Sequence, residues 1–289
     1  MDIISIVIIL AVFVALLFAL YRLGSKHVKF SRRVFIALAL GIVFGAAIQL
    51  LFAPDSTITL TAIDWINIVG NGYVRFLQML IMPLIFVSIV GAFTRIEETK
   101  NLGKISGSVL GTLLGTTAIA ALIGWASVIL FNLDGAQFTQ GTAETARIEA
   151  LTTQQTQVAD LTIPGQVLSF IPTNIFQDLA GLRSTSTIAV VVFSAFVGIA
   201  YMGIKKKQPE NAALFNKGLQ VIQSIVMRTV TLVLRLTPYG ILALMTKMMA
   251  TSSYQAIVNL GLFVVASYAA LLVVLLVHSL ILAGVGVNP

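Results

Sequence analysis

The 289-residue chain consists mainly of apolar side chains and carries few charges. Hydrophobic residues make up 58% of it and charged residues 10%, whereas a soluble domain carries roughly 25% charged residues. This composition excludes an ordinary soluble globular domain and predicts a protein that lies in a lipid bilayer. The net charge is +7, but the basic residues cluster between apolar runs, which favours an anionic membrane surface over nucleic acid. The chain has no cysteine, which excludes disulfides and thiolate chemistry within it.

Apolar runs of the length that a helix needs to cross the hydrocarbon, about 20 residues, recur along the chain. Seven segments meet this length: 3–21, 34–53, 65–94, 105–132, 186–204, 219–249 and 256–284. The first lacks the basic start and the small-residue cleavage site of a secretory signal peptide, so we interpret it as a true span. The sequence therefore predicts an all-α, polytopic transmembrane protein.

One shorter apolar piece, 162–182, contains Pro164, Pro172 and Gly181. Proline removes a backbone donor and breaks helical continuity, so this piece is too interrupted for a clean span. We expect it to combine with 186–204 into one interrupted transmembrane element.

The distribution of Lys and Arg predicts the orientation of the spans. The loops after the first, third and fifth spans hold five, three and four basic residues, whereas 54–64 has none and 133–161 has only Arg147. Because basic loops stay in the cytoplasm, the N-terminus is expected outside and position 289 in the cytoplasm. The Gln- and Thr-rich stretch 133–161 is then an external, mobile connection.

The fourth apolar segment carries a repeating glycine. The glycines recur at every fourth position: Gly103, Gly107, Gly111 and Gly115. Small residues at this spacing let membrane helices approach closely, so the face serves either tight packing or the sliding of a neighbouring element. A single pair with the same spacing, Gly41 and Gly45, is interpreted as packing.

Thr116 and Thr117 follow this glycine face near the middle of the same segment. A threonine in a membrane helix usually bonds back to its own backbone carbonyls. A paired threonine can instead offer oxygen ligands to a dehydrated cation, because hard cations bind oxygen donors. Both alternatives are left open for this pair.

Other polar or helix-breaking residues are sparse within the apolar segments. Pro83 and Pro238 are expected to kink their helices. Four basic residues fall at or within spans and are interpreted as interfacial rather than catalytic: Arg75, Arg228, Arg235 and Lys247. His278 near the inner end of the last span is interpreted as a packed polar residue. Every Asp and Glu is expected in a loop or at a segment edge, and Asp178 comes closest to being buried.

No catalytic motif accompanies these residues. The chain lacks Gly-x-Ser-x-Gly, His-Glu-x-x-His and a phosphate-binding glycine loop, the signatures of several enzyme classes. We therefore expect no enzyme activity, no catalytic residues, no metal site and no cofactor.

Three stretches together resemble the dicarboxylate/amino acid:cation symporter family, which has the glutamate-transporter fold. They are 76–86 (FLQMLIMPLIF), 171–176 (IPTNIF) and 237–245 (TPYGILALM). Within that family, 68–73 (IVGNGY), 141–147 (GTAETAR) and the extra first span resemble the subgroup of bacterial L-cystine importers. The resemblance covers essentially the whole chain.

The resemblance implies a division of the chain between a static scaffold and a moving transport domain. An extra N-terminal helix and its basic cytoplasmic loop occupy 1–33. Scaffold helices occupy 34–104 and 162–249, the latter with an interrupted helix at 162–204 followed by 205–249. Transport-domain helices occupy 105–132 and 250–289, and 133–161 is the external loop. Family members continue beyond this point, so the chain is expected to be truncated before the first re-entrant hairpin, with the substrate site beyond Pro289.

The resemblance also implies a function. It implies cation-coupled uptake of L-cystine by a homotrimeric, multi-pass protein of the bacterial inner membrane, working by an elevator mechanism. Thr116 and Thr117 match a cation-binding pair of the family, but Leu113 stands where the family has tyrosine, so the coupling ion, Na⁺ or H⁺, is left open. The alternatives are a dicarboxylate or other amino acid symporter of the same family, or a non-transporting membrane scaffold.

Overall fold

The computed structural model describes residues 2–96, 102–133, 162–252 and 254–284. The described residues form ten α-helices. In chain order they are α1 (Asp2–Ser25), α2 (Phe30–Leu51), α3 (Thr57–Thr94), α4 (Leu102–Leu130), α5 (Ile163–Ser169), α6 (Ile175–Leu179), α7 (Ser186–Lys207), α8 (Pro209–Leu234), α9 (Thr237–Thr251) and α10 (Tyr254–Gly284). The predicted external loop 133–161 lies outside the described residues from position 134 onward.

The predicted all-α, polytopic architecture is confirmed for the described part of the chain. Six helices are long and apolar enough to cross a membrane, and the bent pair of α8 and α9 brings the number to seven. The chain is therefore a multi-pass membrane protein. Many large apolar side chains on these helices are exposed, as expected of helices that lie in a bilayer.

The predicted limits of α3 were wrong at its N-terminus. The helix begins at Thr57 rather than near 65, because Ser56 caps it by accepting a hydrogen bond from the Thr59 backbone N–H at 3.2 Å. Asp64, predicted to lie in a loop, is therefore an exposed residue inside α3. The 38 residues of α3 give a length of about 57 Å at about 1.5 Å per residue, well beyond the roughly 30 Å of hydrocarbon, so α3 must tilt or extend past it.

The predicted span 219–249 is bent. It consists of α8 and α9, which meet at 46° at Arg235 and Leu236, close to Pro238, where a kink was predicted. Pro238 is the second residue of α9 and is buried. Pro83, by contrast, lies inside the continuous helix α3.

The helices divide into two compact units. Unit 1 contains residues 1–96 and 143–251, and unit 2 contains residues 97–142 and 252–289. In unit 1 the first half of α3 packs with α1 and α9, where Ile63, Ile66 and Leu242 are buried, and α2 packs against α9 and α1. Its second half packs with α7 and α8, around Val87, Val90 and Leu219.

Glycine allows the closest helix pairing in unit 1, that of α2 with α9. A Cβ built on Gly41 would lie 2.8 Å from the Met245 Cβ, and one on Gly45 would lie 2.6 Å from both the Met249 Cβ and the Thr246 carbonyl oxygen. Contacts that advance together along both helices mean that α2 and α9 run parallel. Any larger side chain at these positions would push the two backbones apart.

Unit 2 is built from α4 and α10, which pack against each other. The Ser127 hydroxyl of α4 donates a hydrogen bond of 3.0 Å to the Ala266 carbonyl oxygen of α10. Beside this bond lies a cavity of about 430 Å³, lined by small residues such as Gly124, Ala266 and Ala270 together with Phe263. The pair therefore meets at a few points and leaves space between them.

Candidate functional site

The predicted cation ligands lie on α4 in unit 2. The Thr116 hydroxyl donates to the Thr112 carbonyl oxygen at 2.9 Å and to the Leu113 carbonyl oxygen at 3.1 Å. Thr117 is exposed. The Thr116 oxygen keeps lone pairs that could coordinate a cation, so the assignment of this pair as cation ligands stays a prediction.

The predicted glycine face lies on the same helix. A Cβ built on Gly107, Gly111 or Gly115 would meet no heavy atom of the described residues within 4 Å. Gly103 belongs to the same helix, α4. Whether the face is a packing surface or a sliding surface therefore stays open.

The most highly connected polar cluster lies in unit 1, in the interrupted element. Asp178 on α6 is completely buried, and Arg183 holds both of its carboxylate oxygens. The Arg183 Nε donates to Oδ1 at 2.7 Å and its Nη2 donates to Oδ2 at 2.8 Å. The Ser186 hydroxyl adds a third hydrogen bond, of 3.1 Å, to Oδ1. Such a two-pronged pair is the geometry in which an arginine offsets a buried carboxylate best.

The same cluster ties α5 to the start of α7. The Ser169 carbonyl oxygen, in the last turn of α5, accepts a bond of 3.3 Å from Arg183 Nη1 and one of 2.9 Å from the Thr185 hydroxyl. Asn174 caps α6 by accepting from the backbone N–H of Phe176 at 3.0 Å. These polar bonds, rather than an apolar core, hold the two short helices in place.

Arg183 is a cation under all physiological conditions, because a guanidinium is not deprotonated in proteins. It therefore supplies a positive charge directly beside the buried side chain of Asp178.

Sequence reasoning noticed only half of this cluster. Asp178 was identified as the carboxylate closest to burial, but Arg183 was not singled out. The signal was an acid and a base five residues apart with Gly181 between them, where the chain turns with a positive φ of 70°. Only glycine adopts this backbone conformation without strain.

The remaining candidates do not gather into a site. Arg75, Arg228 and Arg235 are exposed, Lys247 is half-buried, and His278 is exposed on α10. Among the described residues, no group of three or more His, Asp or Glu side chains could hold a metal ion.

A polar pair lies at the bend between α8 and α9. The Tyr73 hydroxyl on α3 lies 2.8 Å from the Thr237 hydroxyl at the start of α9. The Tyr73 ring also fills the space that a side chain at Gly240 would need. Tyrosine and glycine together therefore hold the start of α9 against α3.

Comparison with known proteins identifies relatives along the whole chain. The sequence pattern of the sodium:dicarboxylate symporter family matches residues 30–289. The L-cystine uptake protein TcyP of Bacillus subtilis (strain 168) is 50% identical over 287 residues, which are 99% of this chain and 62% of that protein. The protein of the same name from Shouchella clausii (strain KSM-K16) is 50% identical over 289 residues, covering 100% of this chain and 62% of the relative.

The chain thus spans about three fifths of the length of these curated relatives. Both the family pattern and the identity extend over far more of the chain than the three motifs that first indicated them. The chain belongs to the sodium:dicarboxylate symporter family.

Proposed function

We propose that the protein containing this chain is a secondary active transporter that imports L-cystine together with a cation. The observation that carries the proposal is the 50% identity to L-cystine uptake proteins over 99% of the chain.

The proposed mechanism is an elevator, in which a transport domain carries the substrate past a static scaffold. We assign the helices of unit 1 to the scaffold and α4 and α10 of unit 2 to the transport domain. The contacts of the described residues support this assignment, because α4 and α10 group with each other and the other eight helices group separately. The proposed assembly is a homotrimer, on the strength of the family resemblance.

We propose that the protein lies in a bacterial inner membrane with its N-terminus outside and position 289 in the cytoplasm. The clustering of basic residues around the α1–α2 turn and the end of α7 supports this orientation. Residues 1–289 contain no cysteine, so single cysteines report topology cleanly. Ser25→Cys should be shielded from an impermeant thiol reagent added to intact cells, while Thr142→Cys should react; the reverse pattern would reject the orientation.

The function is tested by uptake of labelled L-cystine into cells that express the complete reading frame. Uptake should exceed that of empty-vector cells and should collapse when the ion gradients are dissipated. Imposing a Na⁺ gradient or a proton gradient alone then identifies the coupling ion.

The same assay separates the alternatives. The family description names dicarboxylates, so labelled succinate and aspartate are tested in parallel. Transport of either one without cystine would replace the substrate while keeping the mechanism. No uptake of any of the three by protein that reaches the membrane would reject transport and favour a non-transporting scaffold.

A further inference from the structure

The turn between α1 and α2 concentrates positive charge. Five basic side chains lie within residues 22–33, and this segment contains no carboxylate: Arg22, Lys26, Lys29, Arg32 and Arg33. Four of them are exposed, whereas Arg33 is half-buried. A basic cluster directly beside two membrane spans attracts anionic lipid headgroups.

Arg33 has an incomplete set of hydrogen bonds. Its guanidinium lies against Gly24 of α1, where a built Cβ would be 3.0 Å from the Arg33 Cζ. Its Nη2 reaches the Tyr239 hydroxyl at a long 3.5 Å, and its buried Nε has no partner among the described residues. A buried N–H without an acceptor is unfavourable, so this guanidinium favours an anionic acceptor.

The N-terminus of α2 adds further donors at the same turn. Its N-cap residue, Lys29, makes no side-chain capping bond. The first backbone N–H groups of a helix have no partner within the helix, and they favour a phosphate or carboxylate. This end of α2 would not define a site by itself, but it lies within four residues of Arg33.

An apolar groove lies beside Tyr239, the residue that Arg33 contacts. It has a volume of about 290 Å³ and lies between α1, α3 and the start of α9. Leu17, Val69, Gly72 and Phe76 line it, and so does Tyr239, the residue whose hydroxyl faces Arg33. One aromatic side chain thus joins the cationic group to the groove.

We propose that Arg33 and this groove bind one anionic phospholipid, with the phosphate at the Arg33 guanidinium and an acyl chain in the groove. The guanidinium fork matches phosphate oxygens, and the groove matches a hydrocarbon chain. A lipid with a cationic choline would bring a positive charge to a cluster of five, which disfavours it. A free phosphate ion would leave the groove without an occupant.

The binding test uses the full-length protein in detergent. Native mass spectrometry measures the dissociation constants of phosphatidylglycerol and phosphatidylcholine with identical acyl chains. Phosphatidylglycerol should bind at least about tenfold more tightly, since it has a net negative charge that the basic cluster attracts, whereas the choline of phosphatidylcholine cancels the charge of the same phosphate. Glycerol phosphate, which has the headgroup chemistry without the chains, should not compete at equal concentration.

Two kinds of variant localise the bound lipid. Arg33→Gln removes the charge and should weaken phosphatidylglycerol about tenfold, whereas Lys206→Gln, an exposed lysine at the end of α7, should not. Gly72→Leu should fill the groove and weaken both lipids, because a Cβ there meets no atom within 4 Å. Gly203→Leu is its matched control, an equally open glycine on α7.

Folding is checked by the thermal midpoint of each variant without added lipid. If Gly72→Leu fails this check, Ile68→Trp replaces it, since Ile68 is 63% exposed and also lines the groove. Equal affinity for the two lipids, competition by glycerol phosphate, or unchanged binding by both Arg33→Gln and the groove variant would each overturn the proposal.

Discussion

The same glycine spacing has opposite surroundings in the two units of the molecule. In unit 1, Gly41 and Gly45 lie so close to α9 that a single added carbon would come within 2.8 Å and 2.6 Å of its atoms. In unit 2, Gly107, Gly111 and Gly115 are open within the described residues. Small residues four positions apart therefore indicate where two helices can approach closely. They do not indicate whether such an approach occurs within the described chain.

The polar contacts of the two units differ in a similar way. Unit 1 contains an ion pair in which Asp178 is completely buried and Arg183 is half-buried, with Ser186 as a third partner. Unit 2 joins its two helices through Ser127 and leaves a cavity of about 430 Å³ beside that bond. The elements of unit 1 are thus held together by contacts within the unit, which is the property that a static scaffold needs.

The largest effect is expected from breaking the buried ion pair of unit 1. Arg183→Met leaves the Asp178 carboxylate buried without its partner and should lower the free energy of unfolding by about 3–5 kcal/mol. Thermal or detergent denaturation of the purified protein measures the change. Arg75→Met, an exposed arginine in the same unit, serves as the control and should change stability little.

A double variant separates the effect of the two charges from the effect of the side-chain volume. Asp178→Leu combined with Arg183→Met removes both charges, and it should recover much of the loss because apolar replacements of buried pairs are often neutral. Equal stability of Arg183→Met and the unmodified protein would mean that water, not Arg183, satisfies the carboxylate.

The next largest effect is expected from substituting a closely packed glycine, and it should contrast with the effect of substituting an open one. Gly45→Ala places a methyl group 2.6 Å from Met249 Cβ and Thr246 O, so it should destabilise the protein by about 1–3 kcal/mol through overpacking. Gly111→Ala meets no atom and should gain roughly 0.5–1 kcal/mol from helix propensity. Denaturation midpoints of the two variants, measured side by side, should therefore shift in opposite directions. A shared direction would contradict the comparison.

Much of the fold was predictable from the sequence because the bilayer imposes one strong constraint. Each span must be long and apolar, and the predicted segments correspond to α1–α4, α7 and α10. The bend at Arg235 and Leu236 was less accessible, because the apolar run continues through it and proline alone does not fix where a helix breaks.

The polar cluster was not predictable because it depends on how a short loop folds. Asp178 and Arg183 meet only after the chain turns at Gly181 with a positive φ. A hydropathy profile averages these two charged residues with their apolar neighbours, so it does not reveal them. The surroundings of the glycines could not be predicted from the sequence for a related reason. Glycine spacing describes the face of one helix, whereas a contact also depends on where a second helix lies.

The open glycine face gives a prediction about transport. If a neighbouring element slides along Gly107, Gly111 and Gly115, Gly111→Leu should lower cystine uptake about tenfold, equivalent to about 1.4 kcal/mol. Its stability should not fall, because a Cβ at this position meets no described atom within 4 Å. Uptake is compared at matched surface expression with Gly203→Leu, which is equally open on α7. Full activity of Gly111→Leu would identify the face as lipid-exposed.

The smallest expected effect concerns the threonine pair on α4. Thr116 bonds back to its own helix at 2.9 Å and 3.1 Å, so Thr116→Val should change stability little. If its oxygen also coordinates the coupling cation, losing a ligand worth about 1 kcal/mol should raise the half-saturating cation concentration about fivefold. Thr116→Ser keeps the oxygen and should restore the original value. An unchanged cation dependence in Thr116→Val would mean that the Thr116 hydroxyl bonds only to its own backbone, and Thr117 would be the remaining candidate on this helix.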